Sequence, residues 1–221
     1  MALKKSKTVR LFGAGGHSQI IKLVLQENNH KVSDVFDDKP ENCHSFFKSI
    51  TVGNRSNYDA LSAEGDPFII GIGDNFQRAE VARFLKSDFE TAIHKSAIIG
   101  NKVIIGKGTV IYAGAVIGLN SIIGKHVIIN TSANVGIDNK LEDFVHISPM
   151  AALCESVEIG EGSHIGAGAI VMPKIKIGKW CTIGAGTVVT KDVKDHCVVV
   201  GNPERTIRSN KFNFPNKKLT N

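Results

Sequence analysis

With 221 residues, 42% of them apolar and 22% charged, the chain reads as an ordinary globular protein of one or two domains. Its formal charge of +6 does not mark a nucleic-acid binder. Residues 1–10 carry four basic residues and residues 205–221 carry five, with no acid in either window, which leaves a body of 18 basic and 21 acidic residues. The start MALKKSKTVRLFG has no long apolar run before Gly13, which argues against a signal peptide or membrane insertion. The four cysteines show no C-x-x-C spacing, so they are expected to be reduced thiols of a cytoplasmic protein without a metal.

In chain order, TVRLFGAGGHSQIIKLVLQENNHKVSDVFDD predicts strand, glycine turn, helix and strand. The turn Gly13-Ala14-Gly15-Gly16-His17-Ser18 opens a helix to about Asn28, and the second strand ends at Asp37-Asp38. PFIIGIGDN then supplies another buried strand and NFQRAEVARFLK another helix. Such alternation implies a small parallel, Rossmann-like sheet over about residues 7–92. A glycine turn at a helix N-terminus favours phosphate. It is not a dinucleotide fingerprint, because G-x-G-x-x-G needs glycine where Ser18 stands. A tight turn without a ligand is the competing interpretation at this point.

From Ala97 to Asp192 the sequence falls into sixteen unbroken hexads, from AIIGNK to TVVTKD, every one with Ile, Val or Leu in third place. Nine have Gly in fourth place. Neither a helix nor a simple strand has a period of six. One short strand and one corner per hexad do, with three hexads to a coil of a triangular prism stacked at about 4.8 Å. The third residues would fill the interior, and the glycines would relieve backbone strain at the corners. The predicted division is therefore 1–92, 93–207 and a basic tail, 208–221.

The hexads resemble the hexapeptide-repeat acyltransferases, which implies a left-handed parallel β-helix. With GAGGHS, the DD ending the second strand, and GIGDN with Arg78 ahead of them, the chain is similar to the nucleotide-amino-sugar N-acetyltransferases over Thr8 to about Ile207. The resemblance implies an acyltransferase using acetyl-CoA on a UDP-linked amino sugar for bacterial glycan or lipopolysaccharide precursors, in a homotrimer. It assigns Gly13, Gly15, Gly16 and His17 to the nucleotide diphosphate, and Asp37 and Asp38 to the uracil and ribose. Gly73, Asp74 and Asn75 would line the same cleft, although Asp74 also fits as the cap of the following helix.

At the acetyl end, the family pattern is an N-T motif, a histidine base followed by an acid, and a second histidine nine residues after the first. Here Asn130-Thr131 and His146 match, and the acid is present as Asp138, but Ile137 stands where the base belongs. Asn130, Asp138 and His146 are thus the expected catalytic set. Residues 18 apart should stack, which places His146 and His164 on one outward face. The resemblance puts both, with amides near Gly166 and Gly184, against acetyl-CoA, and GNPERTIR near its nucleotide, with Glu204 departing from the family pattern. Ile137 also leaves open a weak or inactive relative acting as a nucleotide-sugar-binding scaffold.

Overall fold

The computed structural model describes residues 6–39, 47, 51–53 and 65–209. The basic tail expected at 208–221 lies outside them from residue 210 onward, as does Cys43.

Strands β1 (Thr8–Phe12), β2 (Lys31–Phe36), β3 (Thr51–Gly53) and β4 (Phe68–Ile70) form a parallel sheet in the order β3-β2-β1-β4. Alternation along β1 decides its two faces. Val9 and Leu11 pack with Ile21, Val24 and Leu25 of α1 (Gly16–Glu27). Phe12 turns the other way, into a cluster with Phe36, Phe68, Ile70 and, from α2 (Asn75–Phe84), Val81.

From Ala92 onward the chain winds as a parallel β-helix with three sheets. The first face carries Ala92–Ile93, Val110–Ile111, Ile128–Ile129, His146–Ile147, His164–Ile165 and Thr182–Ile183, ending in Cys197–Val200 and the antiparallel strand Arg205–Ser209. The register is 18 residues from Ala92 to Ile183, as in Ile128↔His146 and His146↔His164, and shortens to 16 at the last coil, where Thr182 pairs with Val198. Third-place residues such as Ile111, Ile129, Ile147 and Ile165 make the interior core, all essentially inaccessible.

The role predicted for the fourth-place glycines is corrected here. The left-handed backbone sits at the sixth residue of every hexad from 97 to 186, at φ between 53° and 78°, on residues as varied as Lys102, Asp138, Phe144 and Trp180. The fourth-place glycines are needed for a different reason. A Cβ on Gly118 would stand 2.5 Å from the Gly136 carbonyl carbon of the next coil, and one on Gly106 would stand 2.5 Å from that of Gly124. Close stacking of coils, and not φ, demands them.

The two parts share one core. Ala92, Val110, Tyr112 and Ile128 of the first β-helix face pack into the cluster of α1 and the sheet, and Asn28 at the end of α1 donates to the Ile93 carbonyl at 2.8 Å. The N-terminal domain therefore covers the first face, and that packing creates the site.

Candidate active site

All the parallel strands of the small sheet deliver their C-terminal ends to one side, the usual place for a ligand in such sheets. The turn after β1 is locked by Ser18, whose hydroxyl donates to the Gly13 carbonyl at 2.5 Å. The serine that spoils the dinucleotide fingerprint is thus a built part of the turn, and it leaves no room for a side chain at Gly71. Helix α1 starts at an N-cap, Gly15, with no side-chain cap, so the Gly16 and His17 amides stay available to an anion.

Asp37 has a structural part in the turn. Its Oδ2 accepts from the Ala14 N–H at 2.7 Å and its Oδ1 from the Lys39 N–H at 2.9 Å, so it braces the glycine turn. Asp37 and Asp38 line one cavity of about 400 Å³ with Phe12, Ile72 and Gln77. Gly73, Asp74 and Asn75 line another, of about 350 Å³, with His17, Phe76, His146, Gly162, His164, Trp180 and Thr182. The glycine turn runs between the two, with Phe12 at one and His17 at the other.

The second cavity lies where the loop after β4 meets the β-helix, and one arginine anchors it. Arg78 is 1% exposed and uses all five of its donor positions. It reaches the carbonyls of Ile72 (2.9 Å), Gly73 (3.1 Å), His126 (2.9 Å) and Phe144 (2.8 Å), and Asn75 Oδ1 at 2.7 Å. Asn75 in turn donates to the Gly162 carbonyl at 2.9 Å. Asn75 is therefore a buried tie between the domains, while Asp74 caps α2 by accepting from the Gln77 N–H at 2.8 Å.

His146 is the second correction. The outward-facing position predicted for it is right for the β-helix alone, but the N-terminal domain buries it to 6% exposure. Its Nδ1 faces the Gly73 carbonyl at 3.3 Å, which can only accept, so Nδ1 carries the hydrogen. Nε2 then accepts from Asn130 Nδ2 at 3.4 Å, consistent with Asn130 Oδ1 taking the Thr131 N–H. Its ring stacks on His164 at 4.7 Å and meets His17 edge-on at 5.6 Å. Burial first, then the charges of His164 and Arg78, drives its pKa far down. His164, whose Nε2 is 2.7 Å from Ser148 Oγ, and His17 are both lowered by burial and then by Arg78. Three neutral imidazoles line the groove, and the lone pair of His146 is already used.

Asn130 and His146 come together, but Asp138 does not join them within one chain. Asp138 sits at the corner between Asn134–Val135 of the second sheet and Lys140–Leu141 of the third, the edge of the prism opposite the first face. Its Oδ1 accepts from Asn120 Nδ2 at 2.9 Å. Ile137 and Leu119 stack there, 39% and 45% exposed. The Gly166 and Gly184 N–H groups are spent in the ladder, on Ile183 and Val199. Glu204 accepts from Thr190 Oγ1 at 2.7 Å, which ties its loop to the last coil.

Sequence reasoning missed Tyr112, Ser148, Phe76, Trp180 and Thr182. Trp180 packs against Gly162 and meets Phe76 edge-on at 6.2 Å, walling the cavity. One signal was present. On the first face the fourth-place residues run Tyr112, Asn130, Ser148 before returning to Gly166 and Gly184, and each of the three partners a histidine of the groove. Among the described residues, no His/Cys/Asp/Glu cluster could hold a metal. No described helix is long and apolar enough to cross a membrane.

Comparison with known proteins agrees with this architecture. Residues 8–85 match the PglD N-terminal domain and residues 156–191 the bacterial transferase hexapeptide repeats. A UDP-N-acetylbacillosamine N-acetyltransferase of Bacillus subtilis (strain 168) is 39% identical over 115 residues, 47% of this chain. The match spans half the length of that curated relative. The structure of PerB from Caulobacter crescentus in complex with CoA and GDP-perosamine superposes with a TM-score of 0.85 at 32% identity, over 90% of this chain and 96% of that one. The acetyltransferase domain of PglB from Neisseria gonorrhoeae FA1090, in complex with acetyl coenzyme A, gives 0.82 at 31% identity, over 92% and 100%.

Proposed function

Since the chain belongs to the hexapeptide-repeat sugar N-acetyltransferases, we propose that it moves the acetyl group of acetyl-CoA onto the amine of a UDP-linked amino-dideoxy sugar. UDP-4-amino-4,6-dideoxy-N-acetylglucosamine is the substrate favoured by the likeness to the bacillosamine enzyme, and the product would serve bacterial glycan or O-antigen assembly. One observation carries this reading: the glycine turn stands between two cavities, one flanked by Asp37 and Asp38, the other by His146, His164 and Thr182. That spacing suits a nucleoside on one side, its diphosphate at the α1 amides and its sugar on the other.

The missing histidine base does not forbid the reaction. A sugar amine flanked by electron-withdrawing oxygens is partly neutral near pH 8, and a neutral amine is already a nucleophile. Attack on the thioester gives a tetrahedral adduct whose nitrogen is acidic, and the departing thiolate, with a pKa of about 8.5, takes that proton. General base catalysis is worth about 10²–10⁴-fold, so proximity and thioester polarisation supply the rest. Asp138 enters by assembly. Its edge cannot reach the His146 face within one chain, so a neighbouring copy in a homotrimer presents Ile137 and Asp138 to the groove.

The test is thiol release from acetyl-CoA across a panel of UDP-, GDP- and dTDP-linked amino sugars, with light scattering for assembly. Acetylation of a UDP-linked amine by a trimer is the expected result. A monomer at micromolar concentration would remove the shared site. No acetylation of any sugar would favour the scaffold reading that Ile137 keeps open.

A further inference from the structure

Tyr112 takes the fourth place of its hexad, where nine of the sixteen have glycine, on the face that the N-terminal domain covers. Its ring is 1% exposed, in the core shared with Ile21, Leu25 and Ile128. Its hydroxyl lies 2.8 Å from Nδ1 of His17 and makes no other described hydrogen bond, with the two rings 5.9 Å apart and 27° from parallel. Which group donates follows from what would be left over. If the imidazole donated, the buried phenolic hydrogen would have no acceptor, which is the costlier arrangement. If the phenol donates, both are satisfied. Burial also raises the Tyr112 pKa well above its ordinary value, so the proton stays on oxygen. A neutral imidazole carries one hydrogen, which then sits on Nε2.

The Nε2 end of His17 borders the groove. A Cβ on Gly73 would lie 2.6 Å from both Nε2 and Cδ2, so only glycine admits the ring there. Nε2 makes no hydrogen bond to a described residue, and the half-buried ring lines the cavity beside the uncapped start of α1.

We propose that Tyr112 is a positioning residue for the ligand: by donating to Nδ1 it fixes His17 in the Nε2–H tautomer and turns that N–H toward an anionic diphosphate oxygen. This rests on the nucleotide-sugar reading above. His17 thereby serves as a directed donor that joins the helix amides, and it takes no part as the missing base.

The test uses the full chain labelled with 15N-histidine. In the wild-type protein the His17 signals, identified by their loss in His17→Gln, should show a bare Nδ1 and a protonated Nε2. Adding UDP should shift the Nε2–H signal. Tyr112→Phe removes one oxygen and keeps the ring in the core. It should give a mixture of tautomers and weaken UDP binding about tenfold, with KM for the sugar nucleotide rising more than kcat falls. His17→Gln, whose amide N–H replaces that of Nε2, should bind UDP better than His17→Asn. An Nδ1–H tautomer in the wild type would overturn the proposal, as would unchanged UDP affinity in Tyr112→Phe. A loss confined to kcat would place the N–H at the acyl carbonyl and overturn the diphosphate assignment. If Tyr112→Phe does not fold, the wild-type tautomer and the Gln/Asn pair decide. The spectra and the UDP titration need no turnover, so they stay decisive even if no sugar is acetylated.

Discussion

Replacing Arg78 by Met should be among the most destabilising single changes in this protein. The guanidinium serves five acceptors, four of them backbone carbonyls drawn from both domains, and it has no carboxylate among its hydrogen-bond partners. Methionine matches its stem but returns none of the donors. A buried acceptor left unpaired costs about 1–3 kcal/mol, and water or small shifts recover some of the five. Removing the buried charge itself gives back part of its desolvation, so the sum falls well short of five full penalties. A net loss of about 4 kcal/mol is expected. For a chain of this size that lowers Tm by about 8–16 °C at 2–4 °C per kcal/mol. Arg78→Lys, with three donors on one point, should fall between the two. The assay is thermal unfolding by circular dichroism, with the same variants in the acetyl-transfer assay at low temperature. A Tm within about 3 °C of wild type for Arg78→Met would show that the five bonds do not hold the Ile72–Asn75 loop to the β-helix.

Acid should weaken the fold through His126, which sits between Phe89 and Phe144 and is held by burial at about 4 against an unfolded value of 6.5. The unfolded chain takes the proton first. Stability is therefore full above about pH 6.5 and lost as pH falls toward 4, by about 3 kcal/mol. Urea titrations from pH 7 to 4 should be flatter in His126→Phe by that amount, and an identical slope would refute it. Gly73→Ala should push the His17 imidazole aside, raising the sugar-nucleotide KM about tenfold with little change in Tm. Gly118→Ala meets backbone and not a movable side chain, so it should cost about 1–3 kcal/mol in unfolding experiments. Asp138→Asn should slow turnover without ending it, and kcat/KM should follow the substrate amine's own titration. Complete loss with normal acetyl-CoA binding would make Asp138 the base.

The interior of the prism was legible in the sequence because its cause is strictly periodic: an aliphatic side chain is required each time the strand points inward, as at Ile129, Ile147 and Ile165. The left-handed corners were less so, because the sixth place is glycine in only five of the fifteen hexads from 97 to 186 and otherwise takes residues as varied as lysine, aspartate, phenylalanine and tryptophan. The pairing of His146 with His164 followed from the 18-residue spacing alone. Their burial did not, since it depends on where α1 and the Gly73 loop dock, through contacts as distant in sequence as Arg78 with Phe144. The bracing of the glycine turn by Asp37 was not legible either, because spacing cannot show that its oxygens face the Ala14 and Lys39 amides.

The core that runs unbroken from α1 into Val110, Tyr112 and Ile128 limits how freely such enzymes exchange parts. A chimaera joined at Ala92 would bring a foreign N-terminal half onto a surface shaped for this one, and would strand Tyr112 without His17. To transplant that half, the graft has to carry the covered face of the first coils with it. The unit of inheritance is then the sheet, α1 and that strip of β-helix together, and its seam runs across the solenoid and not between the two folds.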